Sequence, residues 1–186
     1  MKTATIKLFG IDELPENIRE KIVIHWRDGD DFYWLDEWEE TLKAFFQYFS
    51  GVFNSHDWSW CSYRGGNISF EVCENLQGMK GARLFRYLGN NYSEILEKWD
   101  YCPLTGYGGD CDIMQPIADF MKRPSENIDL RDLVQDCFRS WCNGLEADYD
   151  HWQSEESILE DIRANEITFT EQGEVFAYVD NSGACQ

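Results

Sequence analysis

The chain has 186 residues, 43% of them hydrophobic and 16% aromatic, so composition excludes a disordered polymer and allows one domain with a sizeable core. Lysine and arginine total 16 against 35 acids, and the resulting charge of −19 disfavours binding to nucleic acid or to anionic membranes. No run of about 18 apolar residues occurs, so nothing reads as a membrane span.

Thr3 to Phe9 alternates, with Ala4, Ile6 and Leu8 on one side, and reads as a strand. Asp12–Glu13–Leu14–Pro15 opens a helix whose first turn holds Pro15 and whose inner stripe is Ile18, Ile22, Val23 and Trp26. Asp28–Gly29–Asp30–Asp31 breaks it. The next stretch, 32–49, places Trp34, Trp38, Leu42, Phe45, Phe46 and Phe49 on one helical face. Asp36, Glu37, Glu39, Glu40 and Lys43 fall largely on the other. Aromatic rings bury more area than most side chains, so this helix is expected to anchor the core.

From Val52 to Cys73 the period changes to two, with Gly65–Gly66–Asn67 as the turn of a β-hairpin. Trp58, Trp60, Ser62 and Arg64 share one face. Gly78 to Trp99 reads as one or two helices separated at Gly89–Asn90–Asn91, with Leu84, Leu88, Ile95, Leu96 and Trp99 inward. Tyr101 to Asp112 is loop by composition, and Ile113 to Met121 is a short helix stopped before Pro124. Asp129 caps a long helix over 129–152, striped by Leu130, Leu133, Val134, Cys137, Phe138, Trp141 and Leu145. Ser154 caps a further one carrying Ile158, Leu159 and Ile162. Ile167 to Val179 forms a second hairpin about Gln172–Gly173. This order predicts a single α+β domain over residues 1–186, with antiparallel hairpins packed against helices. The core is expected to hold Trp34, Trp38, Phe45, Phe46, Phe49, Leu133, Phe138 and Trp141.

The seven cysteines are an odd number, and MKTATIKLF runs straight into a charged helix without resembling a secretion signal. Reduced thiols in a cytosolic compartment are the simplest account. Cys102 and Cys111 bracket a glycine-rich loop, but lie too far apart for the tight pairs that zinc prefers. Cys137 and Cys142 belong to a helical stripe, where thiols act as small apolar side chains. Neither a metal nor a cofactor is expected, nor a disulfide framework required for folding. His25, His56 and His151 belong to no local catalytic motif. GYGGD lacks the lysine of a phosphate loop, and Asp28–Asp31 lacks the ligand alternation of a calcium loop. Carboxylates and tryptophans abound as in a sugar cleft, but sequence alone sets no separation between them. An enzyme, a hydrolase or a thiol-dependent one, would work around Asp110, Cys111 and the tryptophan-rich hairpin.

The acids are clustered. From Asp12 to Glu40 there are eleven acids against Arg19, Lys21 and Arg27, and from Glu146 to Asp161 there are seven with no lysine or arginine. A solvated surface is the ordinary reading of such blocks. Rigidly held carboxylates can also imitate the phosphates of duplex DNA, which carries a charge about every 1.7 Å of axis. Glu37, Glu39, Glu40, Asp148, Asp150, Glu155 and Glu156 are the candidate contacts. A third reading uses Trp58 and Trp60 as exposed aromatics in a protein interface.

The opening LFGIDELPENIREKIVIHWRD, the aromatic helix after it, the block CPLTGYGGDCDIMQPIADFMKRP and the closing NEITFTEQGEVF resemble small acidic proteins encoded by phages and prophages. The resemblance implies a phage accessory role in the host cytoplasm and supplies no catalytic residue. By analogy of context, it implies an inhibitor of host defence of the anti-restriction or anti-CRISPR type. The partner expected is a host complex with a basic nucleic-acid-binding groove, bound without direct contact to nucleic acid.

Overall fold

The computed structural model describes residues 6–29, 32, 34–61, 65–98 and 102–177. Among these residues the fold is α+β, with two antiparallel hairpins and a majority of helix. The chain divides into two compact units. One joins the described residues up to Phe32 with those from Tyr149 onward, and the other runs from Trp34 to Asp148.

In the first unit, a 3-10 turn at Ile11–Glu13 precedes α1, Glu16–Gly29. The turn closes when Gly10 N donates to Glu13 Oε2 at 2.8 Å, so the predicted single helix start is two elements. Pro15 then stands just ahead of α1, where a missing N–H costs nothing. Ile22 and Val23 of α1 are buried with Ile11, Leu14, Ile158, Ile162, Ile167 and Phe169, and Ile18 and Trp26 pack at the margin. Helix α6, Glu155–Ala164, is capped as predicted, with Ser154 Oγ accepting from Ser157 N at 3.2 Å. Strands β3, Thr168–Phe169, and β4, Val175–Ala177, form the closing hairpin. Gly173, at φ +86°, makes its turn.

Of the strand predicted over 3–9, the described residues 6–9 pair at Phe9, which exchanges both backbone hydrogen bonds with Phe169 at 2.9 Å. β3 is only two residues long and offers no further pairing, so Ile6 and Leu8 are exposed at 54% and 37%. Residues 3–5 lie outside the described residues, as do Asp30, Asp31 and residues 178–179 of the second hairpin.

In the second unit, α2, Leu35–Tyr48, buries Trp38, Leu42, Phe45 and Phe46, followed by Phe49. Trp34 is a correction. It precedes the helix in a turn and is 44% exposed, because the inward register starts only with α2 itself. Strands β1, Phe53–Cys61, and β2, Gly65–Val72, pair antiparallel with a register shift between Phe53 and Ser55. Helix α5, Leu130–Trp152, starts at the predicted cap, where Asp129 Oδ1 accepts from Asp132 N at 2.9 Å. Phe138 of α5 is the hub of the core. Its ring lies 5.7 Å from Phe45, 5.2 Å from Phe46 and 5.2 Å from Phe70.

Helix α3, Gly81–Leu96, is two helical stretches joined at a kink at Tyr92, directly after the predicted separation at Gly89–Asn90–Asn91. Leu84, Leu88, Tyr92 and Ile95 are buried along it. Leu96 is half-buried, and Trp99 lies outside the described residues. Helix α4, Gly109–Lys122, begins four residues before the predicted Ile113 and takes in Asp110, Cys111 and Asp112. Acids in a first turn oppose the positive end of the helix, which favours the earlier start. Pro116 lies within α4.

Candidate functional site

The N-terminal end of α4 is built on Asp110. Its side chain is fully buried and accepts five hydrogen bonds. Oδ1 takes the hydroxyls of Thr41 at 3.0 Å and Thr105 at 2.7 Å. Oδ2 takes the amides of Leu104 at 2.7 Å, Thr105 at 2.6 Å and Gly106 at 3.0 Å. A carboxylate so saturated organises a loop and is poorly placed to shuttle a proton. Beside it, Cys102 Sγ lies 3.6 Å from Cys111 Sγ. Burial, followed by the contact with Cys111 and the charge of Asp110, pushes the Cys102 thiol up to about 11.

One carboxylate of α5, Asp148, is tied to the aromatic core. Trp38 Nε1 donates to Asp148 Oδ2 at 3.0 Å, and Trp141 Nε1 donates to the Trp38 carbonyl at 3.1 Å. The rings of Trp38 and Trp141 meet edge to face at 6.0 Å. Asp112 is drawn into the same corner. A Cβ on Gly144 would sit 2.6 Å from Trp38 Cη2 and 2.8 Å from Asp112 Cγ, so the absence of a side chain at Gly144 lets α5 approach this closely. Burial, and secondarily the charge of Asp148, raises the Asp112 carboxyl above its ordinary value.

Of the acids predicted as contacts, Glu40 and Asp148 are exposed, whereas Glu37 and Glu39 are half-buried. Lys43 answers two of them, with Nζ 2.8 Å from Glu40 Oε1 and 3.7 Å from Glu39 Oε2. The Trp38–Asp148 bond thus brings Asp148 to the helix that carries Glu37, Glu39 and Glu40. Asp150, Glu155 and Glu156 are exposed and belong to the first unit. Glu155 and Glu156 occupy the first turn of α6, where acids oppose the helix dipole. Asp12 is withdrawn from its acidic block by Arg163, which donates to both its oxygens at 2.9 and 2.7 Å and holds its carboxyl below the ordinary value.

Trp58 and Trp60 are half-buried rather than displayed. Their register partners are Ile68 and Gly66, on the hairpin face that also carries Phe70, and Trp58 meets Trp141 edge-on at 5.9 Å. His56 stacks on Phe46 at 3.7 Å, while His25 and His151 are exposed on α1 and α5. Among the described residues no three histidine, cysteine, aspartate or glutamate side chains gather as a metal set. Among the same residues no helix is long and apolar enough to cross a membrane.

Sequence reasoning missed Thr41 and Thr105. A threonine inside the Trp38–Leu42–Phe45 stripe was the available signal for Thr41, since a buried hydroxyl needs a partner. Comparison with protein-family models, with curated proteins and with solved structures finds no match.

Proposed function

We propose that this is a phage-encoded acidic binding protein that inhibits a host nucleic-acid-handling defence complex, of the restriction or RNA-guided type. It acts in the host cytoplasm by presenting carboxylates to the basic groove of that complex, without binding nucleic acid itself and without a cofactor. The observation that carries this reading is the Trp38–Asp148 hydrogen bond at 3.0 Å. It fixes an exposed carboxylate of α5 to the helix bearing Glu37, Glu39 and Glu40. Fixed carboxylates lose less freedom on meeting a basic surface than mobile ones do. The net charge of −19 supplies a long-range field of the sign such a groove attracts. The saturation of Asp110 weighs against a hydrolase centred there.

The test is affinity capture of the full chain from host lysate at low salt, followed by elution with rising salt and mass spectrometry. Recovery of a nuclease complex with a basic nucleic-acid groove, released by salt and displaced by duplex DNA or guide RNA, is the expected result. A partner retained through high salt and not displaced by nucleic acid would overturn the reading.

A further inference from the structure

We propose that Cys102 and Cys111 are a dithiol/disulfide redox site, which exchanges with small-molecule disulfides and closes a covalent ring over the loop ahead of α4. The two sulfurs already lie 3.6 Å apart, and both residues are half-buried, within reach of a small oxidant. Cys137, by contrast, is fully buried in the core.

Two features of the backbone hold the pair together. Cys102 stands at φ +48°, in the left-handed region, although it is neither glycine nor asparagine and is followed by Pro103. A residue before proline is normally driven to extended backbone, so this conformation persists only where the surroundings impose it. The second feature is Asp110, which gathers the amides of Leu104, Thr105 and Gly106 and so folds the intervening loop back on itself. The ring is therefore preformed by hydrogen bonds, and closing it requires little rearrangement.

The exchange proceeds in two displacements. Cys111, in the first turn of α4, attacks first, and Cys102 is the resolving thiol. The Cys111 thiol loses its proton to solvent, and its sulfur attacks one sulfur of the oxidant RSSR. The RS–SR bond breaks, RS⁻ leaves and takes up a proton, and Cys111–S–SR remains. Cys102 then gives its proton to solvent and attacks the Cys111 sulfur. A second RS⁻ leaves and is protonated. Two protein thiols are oxidised to one disulfide, and RSSR is reduced to two RSH.

The test equilibrates the full-length protein with oxidised glutathione and maps the products by proteolysis and mass spectrometry. Expected are the loss of two hydrogens, a peptide linked through Cys102 and Cys111, protection of two of the seven thiols from iodoacetamide, and reversal by dithiothreitol. Cys102→Ser should stop at a glutathione adduct on Cys111, with circular dichroism confirming that the variant is folded. Continued alkylation of both residues in the wild-type protein, or a link formed by other cysteines instead, would overturn the proposal without depending on any variant. None of these readouts involves the acidic surface, so they stand or fall apart from the proposed inhibition.

Discussion

At the scale of single residues, Asp110 and Asp112 lie two positions apart and do different work. Asp110 faces three amides through Oδ2, so Asp110→Asn turns an NH₂ group or a weaker carbonyl toward donors that only an anion serves well. Hydrogen bonds to a charged group contribute about 1.5–3 kcal/mol each, and losing part of this set should lower unfolding stability by roughly 2–4 kcal/mol in urea denaturation. Asp112 behaves in the opposite sense. Its folded-state carboxyl is raised by burial and by Asp148, so folding favours the protonated form. The stability that proton brings is complete below the ordinary aspartate value and is lost as pH rises through the raised one. Asp112→Asn should therefore flatten the dependence of Tm on pH across that window and raise Tm at neutral pH. Thermal melts from acid to neutral pH check both, and a variant whose Tm falls in parallel with wild type would contradict the assignment.

Elements depend on such contacts as much as on pattern. α5 approaches Trp38 and Asp112 at Gly144, where a methyl group has no room. Gly144→Ala gains about 1 kcal/mol of helix propensity but should lose about 1–3 kcal/mol to overpacking, a net destabilisation measurable by chemical denaturation. Trp38→Phe keeps a ring beside Trp141 and removes the donor to Asp148, which should cost about 1 kcal/mol or more of stability and release Asp148. Helices with strong stripes were legible in the sequence, as were the caps at Asp129 and Ser154. Their signals are local, being a periodicity of burial or one side chain reaching its own helix start. The start of α4 was not legible, because what sets it is Asp110 reaching loop amides and a hydroxyl on α2. The kink of α3 at Tyr92 was legible from the weak helix propensity of Gly89–Asn90–Asn91 just before it. The contact of Trp38 with Asp148, 110 residues apart, has no sequence signature at all.

For the molecule as a whole, the expected behaviour is collective. Single exposed charges contribute only about 0–1 kcal/mol, so Glu40→Lys or Glu156→Lys alone should change binding to the captured host complex little. Reversing Glu37, Glu39, Glu40 and Asp148 together should weaken it by at least about tenfold, with most of the change in association rate. Reversing Asp150, Glu155 and Glu156 together tests the acids of the first unit separately. Screening reaches down to about 8 Å at physiological ionic strength, so affinity should also fall steeply with added salt. Binding kinetics at several salt concentrations check all three statements, and affinity indifferent to both salt and charge would leave the acidic surface as solvation only.

The first unit is made from two widely separated stretches of chain, joined by the Phe9–Phe169 pairing and by Asp12 with Arg163, 151 residues apart. Translation delivers one of these stretches before the whole second unit and the other after it. α1 emerges from the ribosome with the side of Ile22 and Val23 that Ile162 and Phe169 will cover still bare. The second unit, by contrast, is complete in one continuous stretch and is free to fold as it emerges. A chain released before Glu155 therefore carries a finished second unit and an apolar helix awaiting its cover, which is the kind of surface that chaperones hold and proteases find.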